Sequence, residues 1–558
     1  MAGPIAPLLR DRGHVLHRCP ACRACFYADR TAPQYETEIE TPFYQQVYLE
    51  QNGSIHHVTR FLFMVDDDGI DSVLDVGCGF GFGVDMAAKS LGWRAVGIDP
   101  SHYGEAGAAL LGADIRHGYL TAETALGEPF GLVVASEVIE HVPDPAGFLQ
   151  ILRRWLRAGA TLVLTTPDAD AVEPGAGEPE LVSILAAGIH LFLFSAGSLE
   201  LVLREAGFLH VEVEARNNGL VALASDRPIR RRADADARHI EAYQAYLGHL
   251  IETAPAGSPL WNGAAGRLLQ LQAGALPLDG LYALFARIAE AWEARFGIDL
   301  RRGRLPEVVA EQALTAAVRA GEGKGFMFRW GPGQPMNLAT VLFSRAVMEA
   351  RRPGRLPEDV LRWARPAYVH AVQAARVLAA GVMIDLDLRQ TGWRARLLVA
   401  DMLAELAPEL EGELLVGLAT PVEGGLQDRT GLPPGVLLPR LAPWFTRMVQ
   451  ADRFEEAARV EPWLRDVDGL VAATRGEPSV MYYALFTLGV LRLVGQNRAA
   501  EAAVVFGRLA AEADALRPDA LAESFRRIAV EHVALAQEWG DGAKPVRARS
   551  RRGKQETR

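Results

Sequence analysis

From Asp71 to about Ser225 the chain alternates short apolar runs rich in β-forming residues with helical stretches, and this alternation limits the fold more than any other feature. Such an order is typical of a parallel sheet with helices on both faces. The predicted strands are Ser72–Val76, Ala95–Ile98, Asp114–His117, Gly131–Ala135, Thr161–Thr165, Leu209–Ala215 and Gly219–Ala224. The predicted helices are Val84–Leu91, Tyr103–Leu111, Pro145–Arg157 and Ser198–Ala206. Only Arg216, Asn217 and Asn218 separate the last two strands, so this pair is predicted to be an antiparallel hairpin.

Beyond Ser225 the character of the sequence changes. A charged linker at 227–238 precedes a region, reaching about Trp539, that is rich in Ala, Leu, Arg and Glu and is predicted to be helical. Two of its segments, 451–458 and 496–503, resemble each other and begin 45 residues apart. Each is interpreted either as the turn and second helix of a helical hairpin, as in α-solenoids, or as an unrelated helix of an alanine-rich protein.

These patterns divide the chain into four parts. They are an N-terminal segment at 1–40, an α/β domain at 41–225, a helical region at 226–540 and a basic tail at 541–558. The basic composition of the tail is typical of a disordered segment.

Composition argues against several classes of partner. The net charge of −11 gives no overall attraction to phosphate backbones or anionic lipid, so neither nucleic acid nor a membrane surface is expected as a partner. The stretch 181–199 contains no Asp, Glu, Lys or Arg, but His190 and two glycines interrupt it, and no membrane span is predicted. With four cysteines and no signal-peptide pattern, we expect a cytoplasmic protein, and the arginine-rich composition suggests a bacterial source.

A glycine-rich turn follows the first predicted strand. Strand, turn and the start of the next helix together read Val73-Leu74-Asp75-Val76-Gly77-Cys78-Gly79-Phe80-Gly81-Phe82-Gly83. Glycines allow the backbone to approach a ligand closely, and the helix that follows presents free N–H groups, so a nucleotide-like ligand is expected here. The dinucleotide pattern G-x-G-x-x-G fails in both frames, because its third glycine is replaced by Phe82 or Val84.

Asp75 with Gly77, Gly79 and Gly81 resembles the first motif of the class I S-adenosylmethionine-dependent methyltransferases, an acid followed by G-x-G-x-G. Asp99 ends the second predicted strand, 22 residues after Gly77, where a carboxylate can accept hydrogen bonds from ribose hydroxyls. The resemblance continues through 136–145, 164–168 and 190–208 in the order seen in the branch of the ubiquinone-biosynthesis O-methyltransferases and of many sugar methyltransferases. It covers about residues 41–225 and implies a Rossmann-like, seven-stranded methyltransferase domain.

The resemblance also implies roles for individual residues in binding S-adenosylmethionine. Gly77 and Gly79 would pass beneath the methionine part of the cofactor, and Asp99 would hold the ribose. Tyr119 stands near the adenine position, where the family more often has an acid, and Arg60 corresponds to a contact with the cofactor carboxylate. The predicted cofactor-binding residues are Asp75, Gly77, Cys78, Gly79, Gly81, Asp99, Tyr119, Leu120, Ser136, Glu137 and Arg60. Of these, Cys78 is interpreted as a small buried residue of the turn and not as a nucleophile.

Two histidines are candidates for a catalytic base, His141 after the fourth strand and His190 before the aromatic segment 192–194. Histidine suits this task because its unperturbed pKa lies near 6.5. Each histidine also has a structural interpretation, His141 in the turn at 140–143 and His190 in packing. Glu137 and Glu140 are interpreted either as a paired acid and base or as residues that solvate or cap a helix start.

The N-terminal residues His14, His17, Cys19, Cys22 and Cys25 have the spacing of one zinc knuckle. Some relatives carry two such knuckles, and this segment is similar to the second of them. Because zinc needs four ligands, three explanations stay open: a start codon further upstream, histidines in place of cysteines, or a site that has decayed.

The sequence therefore predicts an S-adenosylmethionine-dependent methyltransferase that methylates a hydroxyl of a sugar, a glycan precursor or another small molecule. The alternative is an interaction scaffold, in which the helical region binds a protein partner and the methyltransferase module is degenerate. A nicotinamide-dependent oxidoreductase is a third interpretation. The intact set of Asp75, Gly77, Gly79 and Asp99 favours the first.

Overall fold

A computed structural model describes residues 7–382 and 434–540, apart from 12–13, 30, 32–34, 36–41, 52, 67–68, 173–183, 187, 217, 276, 355, 465, 475–477 and 516–519. The chain forms two compact units. The first comprises Met1–Glu307 and Lys324–Met348, and the second comprises Val308–Gly323 and Glu349–Arg558. The basic tail at 541–558 lies outside the described residues.

The first unit contains eleven described strands in two sheets. In chain order they are β1 Pro7–Asp11, β2 His14–Arg18, β3 Cys25–Tyr27, β4 Ser72–Val76, β5 Arg94–Asp99, β6 Ile115–His117, β7 Phe130–Ser136, β8 Leu156–Pro167, β9 Phe192–Leu193, β10 His210–Arg216 and β11 Gly219–Ser225. The seven strands from β4 to β8, β10 and β11 form the larger sheet in the order β10-β11-β8-β7-β4-β5-β6. Strands β10 and β11 pair antiparallel, as the short connection predicted, and β11 is also antiparallel to β8, while the other pairs are parallel.

Helices cover this sheet and continue beyond it. Up to residue 307, the helices of the first unit are α1 Pro42–Gln51, α2 Gly53–Arg60, α3 Phe82–Leu91, α4 His102–Leu111, α5 Pro145–Arg154, α6 Ala196–Glu205, α7 Ala235–Thr253, α8 Pro259–Gln272 and α9 Leu278–Phe296. Strand β4 is buried along its whole length, and three of its five residues, Val73, Leu74 and Val76, are apolar, as expected of a central parallel strand. The predicted helix at 145–157 ends earlier, at Arg154, because β8 already begins at Leu156. The seven predicted strands and four predicted helices of this domain are otherwise confirmed, with ends that differ by a few residues.

The N-terminal segment is built onto the same unit as a small sheet in the order β1-β2-β3-β9. The Arg18 guanidinium donates to the carbonyl oxygens of Ala169 at 2.7 Å and Val172 at 2.5 Å. Tyr27 Oη donates to the Leu185 carbonyl at 3.0 Å. These contacts attach strands β2 and β3 to residues 169, 172 and 185, which follow the fifth strand of the parallel order.

The first compact unit does not end at residue 225, where the change of sequence character placed a boundary. Tyr246 on α7 donates to Asp85 Oδ2 on α3 at 2.6 Å, and both side chains are buried. Asn262 on α8 donates to Glu50 on α1 at 2.8 Å. Because helices after 225 complete hydrogen bonds of helices that flank the sheet, they belong to the sheet-containing unit.

The remaining described helices are α10 Glu311–Arg319, α11 Gly323–Trp330, α12 Leu338–Arg351, α13 Pro357–Val382, α14 Pro434–Gln450, α15 Phe454–Leu464, α16 Val467–Thr474, α17 Pro478–Val490, α18 Ala499–Ala515 and α19 Ala520–Trp539. The two similar segments follow α14 and α17 as turns that lead into α15 and α18. Asp452 and Asn497 occupy equivalent places in these turns, with left-handed φ of 59° and 57°. Asp and Asn tolerate this conformation better than most residues. The helical-hairpin interpretation is therefore confirmed for both segments, and a longer solenoid stays a prediction.

Within the described residues, one helical window, Pro478–Gly495, is long and apolar enough to cross a membrane, with a mean hydropathy of 1.3. More than half of it, 56%, is buried inside the protein, as in a core helix of a helical unit. The stretch 181–199 is interrupted by strand β9, and its positions 181–183 and 187 lie outside the described residues.

Candidate functional site

A cavity of about 530 Å³ opens at the carboxyl ends of β4, β5 and β7. This edge of an open parallel sheet is where such folds bind ligands, and the volume is typical of small-molecule sites. Its walls include the predicted residues Gly77, Gly79, Asp99, Tyr119, Leu120, Glu137 and His141. They also include Tyr35, Ser101, Tyr103, Phe148 and Ile189, which the sequence did not single out.

The glycine turn forms the floor of the cavity in a conformation that requires glycine. Gly77, Gly79 and Gly81 all have positive φ, of 74°, 53° and 75°. A Cβ atom on Gly77 would overlap the Val138 side chain, so backbone atoms line the cavity there.

Asp99 ends β5 and is held by three hydrogen bonds. Its Oδ2 accepts the backbone N–H of Gly79 at 2.7 Å. Its Oδ1 accepts from the Ser101 backbone N–H at 2.9 Å and from Ser101 Oγ at 2.5 Å. The carboxylate is therefore oriented at the cavity wall in the place that the sequence predicted for a ribose contact.

The adenine side of the predicted pocket is aromatic. Tyr119 lies on the cavity wall with 49% of its surface exposed, beside the buried Leu120. Tyr103, also on the wall, stacks on Tyr48 with ring centroids 5.5 Å apart and lies 5.1 Å from the Phe80 ring. In this cavity an apolar face is available for a flat ring, in place of the acid that the family more often has.

Three predicted cofactor residues lie next to the turn but off the cavity wall. Asp75 is buried beneath the turn, and burial, followed by the charge of Asp99, raises its pKa to about 7. Cys78 is also buried, which raises its pKa and agrees with its interpretation as a small filler. Gly81 is the residue before α3, and a Cβ atom there would overlap the Ile115 side chain. These residues shape the turn and do not face a ligand.

Ser136 and Arg60 also lie away from the cavity wall. Ser136 Oγ is 2.8 Å from Thr165 Oγ1, in a pair at the ends of β7 and β8. Arg60, at the end of α2, forms an ion pair with Asp236 of α7 at 3.6 Å. The sequence could not exclude the arginine, because its partner lies 176 positions further along the chain.

Glu137 follows β7 in a strained backbone conformation, with φ of 56°. Its backbone N–H donates to the Thr165 carbonyl at 3.0 Å, and its Oε1 accepts from Thr165 Oγ1 at 2.8 Å. Burial raises the pKa of this carboxyl. The two bonds turn Glu137 towards the cavity.

The buried Glu140 and the half-buried His141 are neighbours in the short helix Ile139–His141. Thr166 Oγ1 donates to Glu140 Oε2 at 2.9 Å, while Oε1 has no hydrogen-bond partner among the described residues and lies 3.6 Å from His141 Nε2. Burial, followed by the charge of Glu137, holds the pKa of Glu140 well above its usual range.

His141 carries its other ring nitrogen to the cavity side. Its Nδ1 lies 2.8 Å from Tyr35 Oη and 3.2 Å from the Ile189 carbonyl oxygen. Burial, followed by the neighbouring His190, lowers the pKa of His141 to about 4, so the ring is neutral near pH 7. A neutral imidazole on the wall of a ligand cavity can accept a proton.

His190 is not part of the cavity wall. It is buried, with Nδ1 2.7 Å from the Ile184 carbonyl oxygen, and its ring centroid lies 4.8 Å from that of His141. This packing agrees with the structural interpretation of His190, and its role as a base stays a prediction. Burial lowers its pKa as well.

The N-terminal cysteines do not form a four-ligand site within the described residues. Strand alternation places Cys25 inside the small sheet, where it accepts from Arg18 Nε at 3.3 Å. Cys19 and Cys22 lie at the tip of the turn between β2 and β3, and His17 stacks on Phe26 with ring centroids 5.5 Å apart. His14 is the first residue of β2 and lies next to Gly188. The predicted zinc site is thus not supported.

Residues 47–213 match a family model described as a methyltransferase domain. A probable S-adenosylmethionine-dependent methyltransferase of Mycolicibacterium smegmatis is 32% identical over 182 residues, which cover 30% of this chain and 65% of that protein. The ubiquinone biosynthesis O-methyltransferase of Caulobacter vibrioides is 37% identical over 102 residues, covering 17% of this chain and 40% of that protein.

Among solved structures, an S-adenosylmethionine-dependent methyltransferase of Thermotoga maritima is 17% identical, with a TM-score of 0.27, over 33% of this chain and 94% of that one. This chain spans less than two thirds of the length of the two curated relatives named above. With the sheet order and the glycine turn, the family match identifies residues 47–213 as a methyltransferase domain of the S-adenosylmethionine-dependent class.

Proposed function

We propose that this protein transfers a methyl group from S-adenosylmethionine to a hydroxyl oxygen of a small molecule, with a sugar or glycan precursor as the first acceptor class to test. The observation that carries the proposal is one cavity that joins two features. One is the Gly79–Asp99 bond at the predicted cofactor end, and the other is the neutral His141 on the same cavity wall.

The residues present fit the cofactor. Gly77 and Gly79 leave backbone at the floor of the cavity, Asp99 offers an oriented carboxylate, and Tyr119 offers an aromatic face. When bound, S-adenosylmethionine supplies an electrophilic methyl group on a sulfonium centre, so the protein has to align the acceptor and exclude water.

The side chains of His141 and Tyr35 on the cavity wall favour an oxygen acceptor. A hydroxyl loses its proton as it is methylated, and a base in contact with it accelerates such a step by about 10²–10⁴-fold. His141 is neutral near pH 7 and lies in the cavity with Tyr35. Several similar curated proteins are named as O-methyltransferases, which supports oxygen as the atom that is methylated.

The scaffold alternative predicts a cavity that binds no cofactor. Thermal unfolding in the presence of S-adenosylmethionine, S-adenosylhomocysteine or NAD separates the three interpretations. Ligand at 100 times its dissociation constant adds about 2.7 kcal/mol to the free energy of unfolding. We expect both sulfur ligands to stabilise the protein and NAD to have no effect. Stabilisation by NAD alone, or by none of the three, would contradict the proposal.

The acceptor is then found by measuring S-adenosylhomocysteine formation with matched sets of three compounds. Each set contains a hydroxyl compound, its amine analogue and its thiol analogue. We expect turnover with the hydroxyl member. Turnover only with amines would retain the methyltransferase and reject the oxygen acceptor. A cytoplasmic location and a protein partner for the helical region stay predictions.

A further inference from the structure

Tyr35 reaches the candidate site from the N-terminal segment. Its hydroxyl lines the cavity and lies 2.8 Å from His141 Nδ1, and its ring meets the imidazole edge-to-face with centroids 5.9 Å apart. We propose that Tyr35 is a catalytic residue, which takes the proton of the acceptor hydroxyl while it passes its own phenolic proton to His141 Nδ1. This inference rests on the proposed function and names the group that contacts the acceptor.

Tyr35 follows the small N-terminal sheet in the chain. Tyr35 follows β3, whose neighbour β2 is bonded through Arg18 to the Ala169 and Val172 carbonyl oxygens. Ser195, which begins α6, donates from Oγ to the Cys22 carbonyl at 2.6 Å. The segment that resembles a zinc knuckle is therefore attached to the first unit without four metal ligands in its described part.

The tautomer of His141 decides whether this proton transfer is possible, because only an Nδ1 that carries no hydrogen can accept the proton. His141 Nε2 faces Glu140 Oε1 at 3.6 Å, and Thr166 holds the other carboxyl oxygen. If Nε2 carries the hydrogen and points to Oε1, the Nδ1 lone pair is available to the Tyr35 hydroxyl. Catalytic hydrogen bonds are often long before substrate binds, which is consistent with this distance.

A second arrangement is the direct competitor. With its hydrogen on Nδ1, His141 would donate to the Ile189 carbonyl oxygen at 3.2 Å, and Tyr35 could not pass a proton to it. In the described part of the chain, the titratable side chains next to His141 are Tyr35, Glu140 and His190, and the ring also hydrogen-bonds the backbone of Glu137. The test below separates the two arrangements by the direction of one shift.

The proposed step balances in atoms and charge. The acceptor oxygen forms a bond to the methyl carbon as the carbon–sulfur bond breaks, and its proton moves to Tyr35 Oη while the Tyr35 proton moves to His141. A positive charge is lost at the sulfonium and gained at the imidazolium, so the net charge of the cavity does not change. In a site of low dielectric constant this avoids the cost of creating a new buried charge.

Tyr35→Phe removes only the hydroxyl and tests the bond without an acceptor. The midpoint of hydrogen exchange at the His141 ring carbon, followed against pH by mass spectrometry, reports the pKa of this histidine. A Tyr35 hydroxyl that donates to Nδ1 stabilises the neutral ring, so its loss should raise the midpoint by about half to one pH unit. An unchanged midpoint would overturn the proposal, because it would show that the Tyr35 hydroxyl does not bond to the neutral ring. A lower midpoint would overturn it as well, because it would show that Nδ1 donates.

The control is Tyr483→Phe, an exposed tyrosine of the helical region, which should leave the midpoint unchanged. Retained binding of S-adenosylhomocysteine by Tyr35→Phe verifies its fold. As a second variant, Tyr35→His keeps a polar ring and should restore part of the wild-type midpoint, which a loss of packing alone would not do.

Turnover provides the second measurement. With the acceptor found above, Tyr35→Phe should lower kcat by about 100-fold while the affinity for S-adenosylmethionine stays within twofold. Equal kcat values would overturn the catalytic role even if the midpoint moves. If the wild-type protein binds S-adenosylmethionine but methylates nothing, the proposed function fails, and this separate result removes the catalytic role with it.

Discussion

The Asp99 carboxylate accepts the backbone N–H of Gly79 at 2.7 Å, so the end of the second strand of the parallel order is bonded to the turn that follows the first. Ser101 holds the other carboxyl oxygen through two further bonds. The proposed ribose-binding group is thus oriented by the protein itself, which lowers the entropy lost when a ligand binds.

We expect Asp99→Ala to weaken binding of S-adenosylmethionine about tenfold to a hundredfold, since it removes a charged acceptor of hydrogen bonds. Isothermal titration calorimetry measures the change. Asp226→Asn, an exposed acid after β11, is the control and should bind normally. Unchanged affinity in Asp99→Ala would remove the ribose role.

Gly81 and Gly112 have the same left-handed backbone but different surroundings. A Cβ on Gly81 would overlap Ile115, whereas no described atom lies within 4 Å of a Cβ on Gly112. Gly112→Ala should cost about 1–2 kcal/mol from the backbone alone. Gly81→Ala should cost about 1–3 kcal/mol more because of the overlap. Urea unfolding compares them, and equal losses would show that Ile115 moves aside freely.

Asp75 makes the free energy of unfolding depend on pH. Burial raises its pKa from 3.8 to about 7, so its favourable contribution is complete below about pH 4 and is lost as pH rises to about 7. Each pH unit in this window corresponds to about 1.4 kcal/mol. Relative to Asp75→Asn, the wild-type protein should therefore lose stability between pH 5 and pH 7.

The control for this pH experiment is Asp71→Asn. Asp71 is exposed, and Ser72 and Arg157 hold its pKa below the usual value. Its variant should follow the wild-type slope. The free energies of unfolding of wild type and Asp75→Asn are compared as a function of pH. If they change in parallel from pH 5 to pH 7, Asp75 is ionised in the folded protein and the prediction is wrong.

Tyr246 connects the appended helix α7 to the sheet-covering helix α3. Tyr246→Phe removes the 2.6 Å bond to the buried Asp85 and should cost about 1–3 kcal/mol in the free energy of unfolding. Tyr282 offers a matched change, because its buried hydroxyl has no hydrogen-bond partner in the described parts of the chain. Tyr282→Phe should be neutral or stabilising. Equal effects of the two substitutions would argue that α7 is not held through Asp85.

Much of the sheet could be predicted because its signals are local. The run Ser72–Val76 is mostly apolar, with Val73, Leu74 and Val76, because a central parallel strand is buried on both faces. The glycines of the turn indicate a backbone conformation that other residues rarely adopt, and the three residues between the last two predicted strands leave room only for a hairpin. The Gly79–Asp99 bond joins two positions that the motif itself marks.

The assignments that the sequence left open or missed depend on distant residues. His190 follows the family order, but packing buries it against the Ile184 carbonyl and away from the cavity wall. Cys25 has the spacing of a metal ligand, yet the pleat of β3 turns it into the core of the small sheet. In both cases the residue type matched the predicted role. The direction of the side chain, however, was set by neighbouring residues that the spacing in the sequence does not reveal.

The amino-acid sequence by itself determined the parallel α/β domain, its glycine turn and the acid that meets it, since each depends on short-range periodicity and backbone preference. Only the tertiary structure decided that Tyr35 meets His141 across 106 positions and that Tyr246 meets Asp85 across 161. Contacts at such separations arise when whole elements pack to bury apolar surface and satisfy buried polar groups, and that packing is a property of the complete fold.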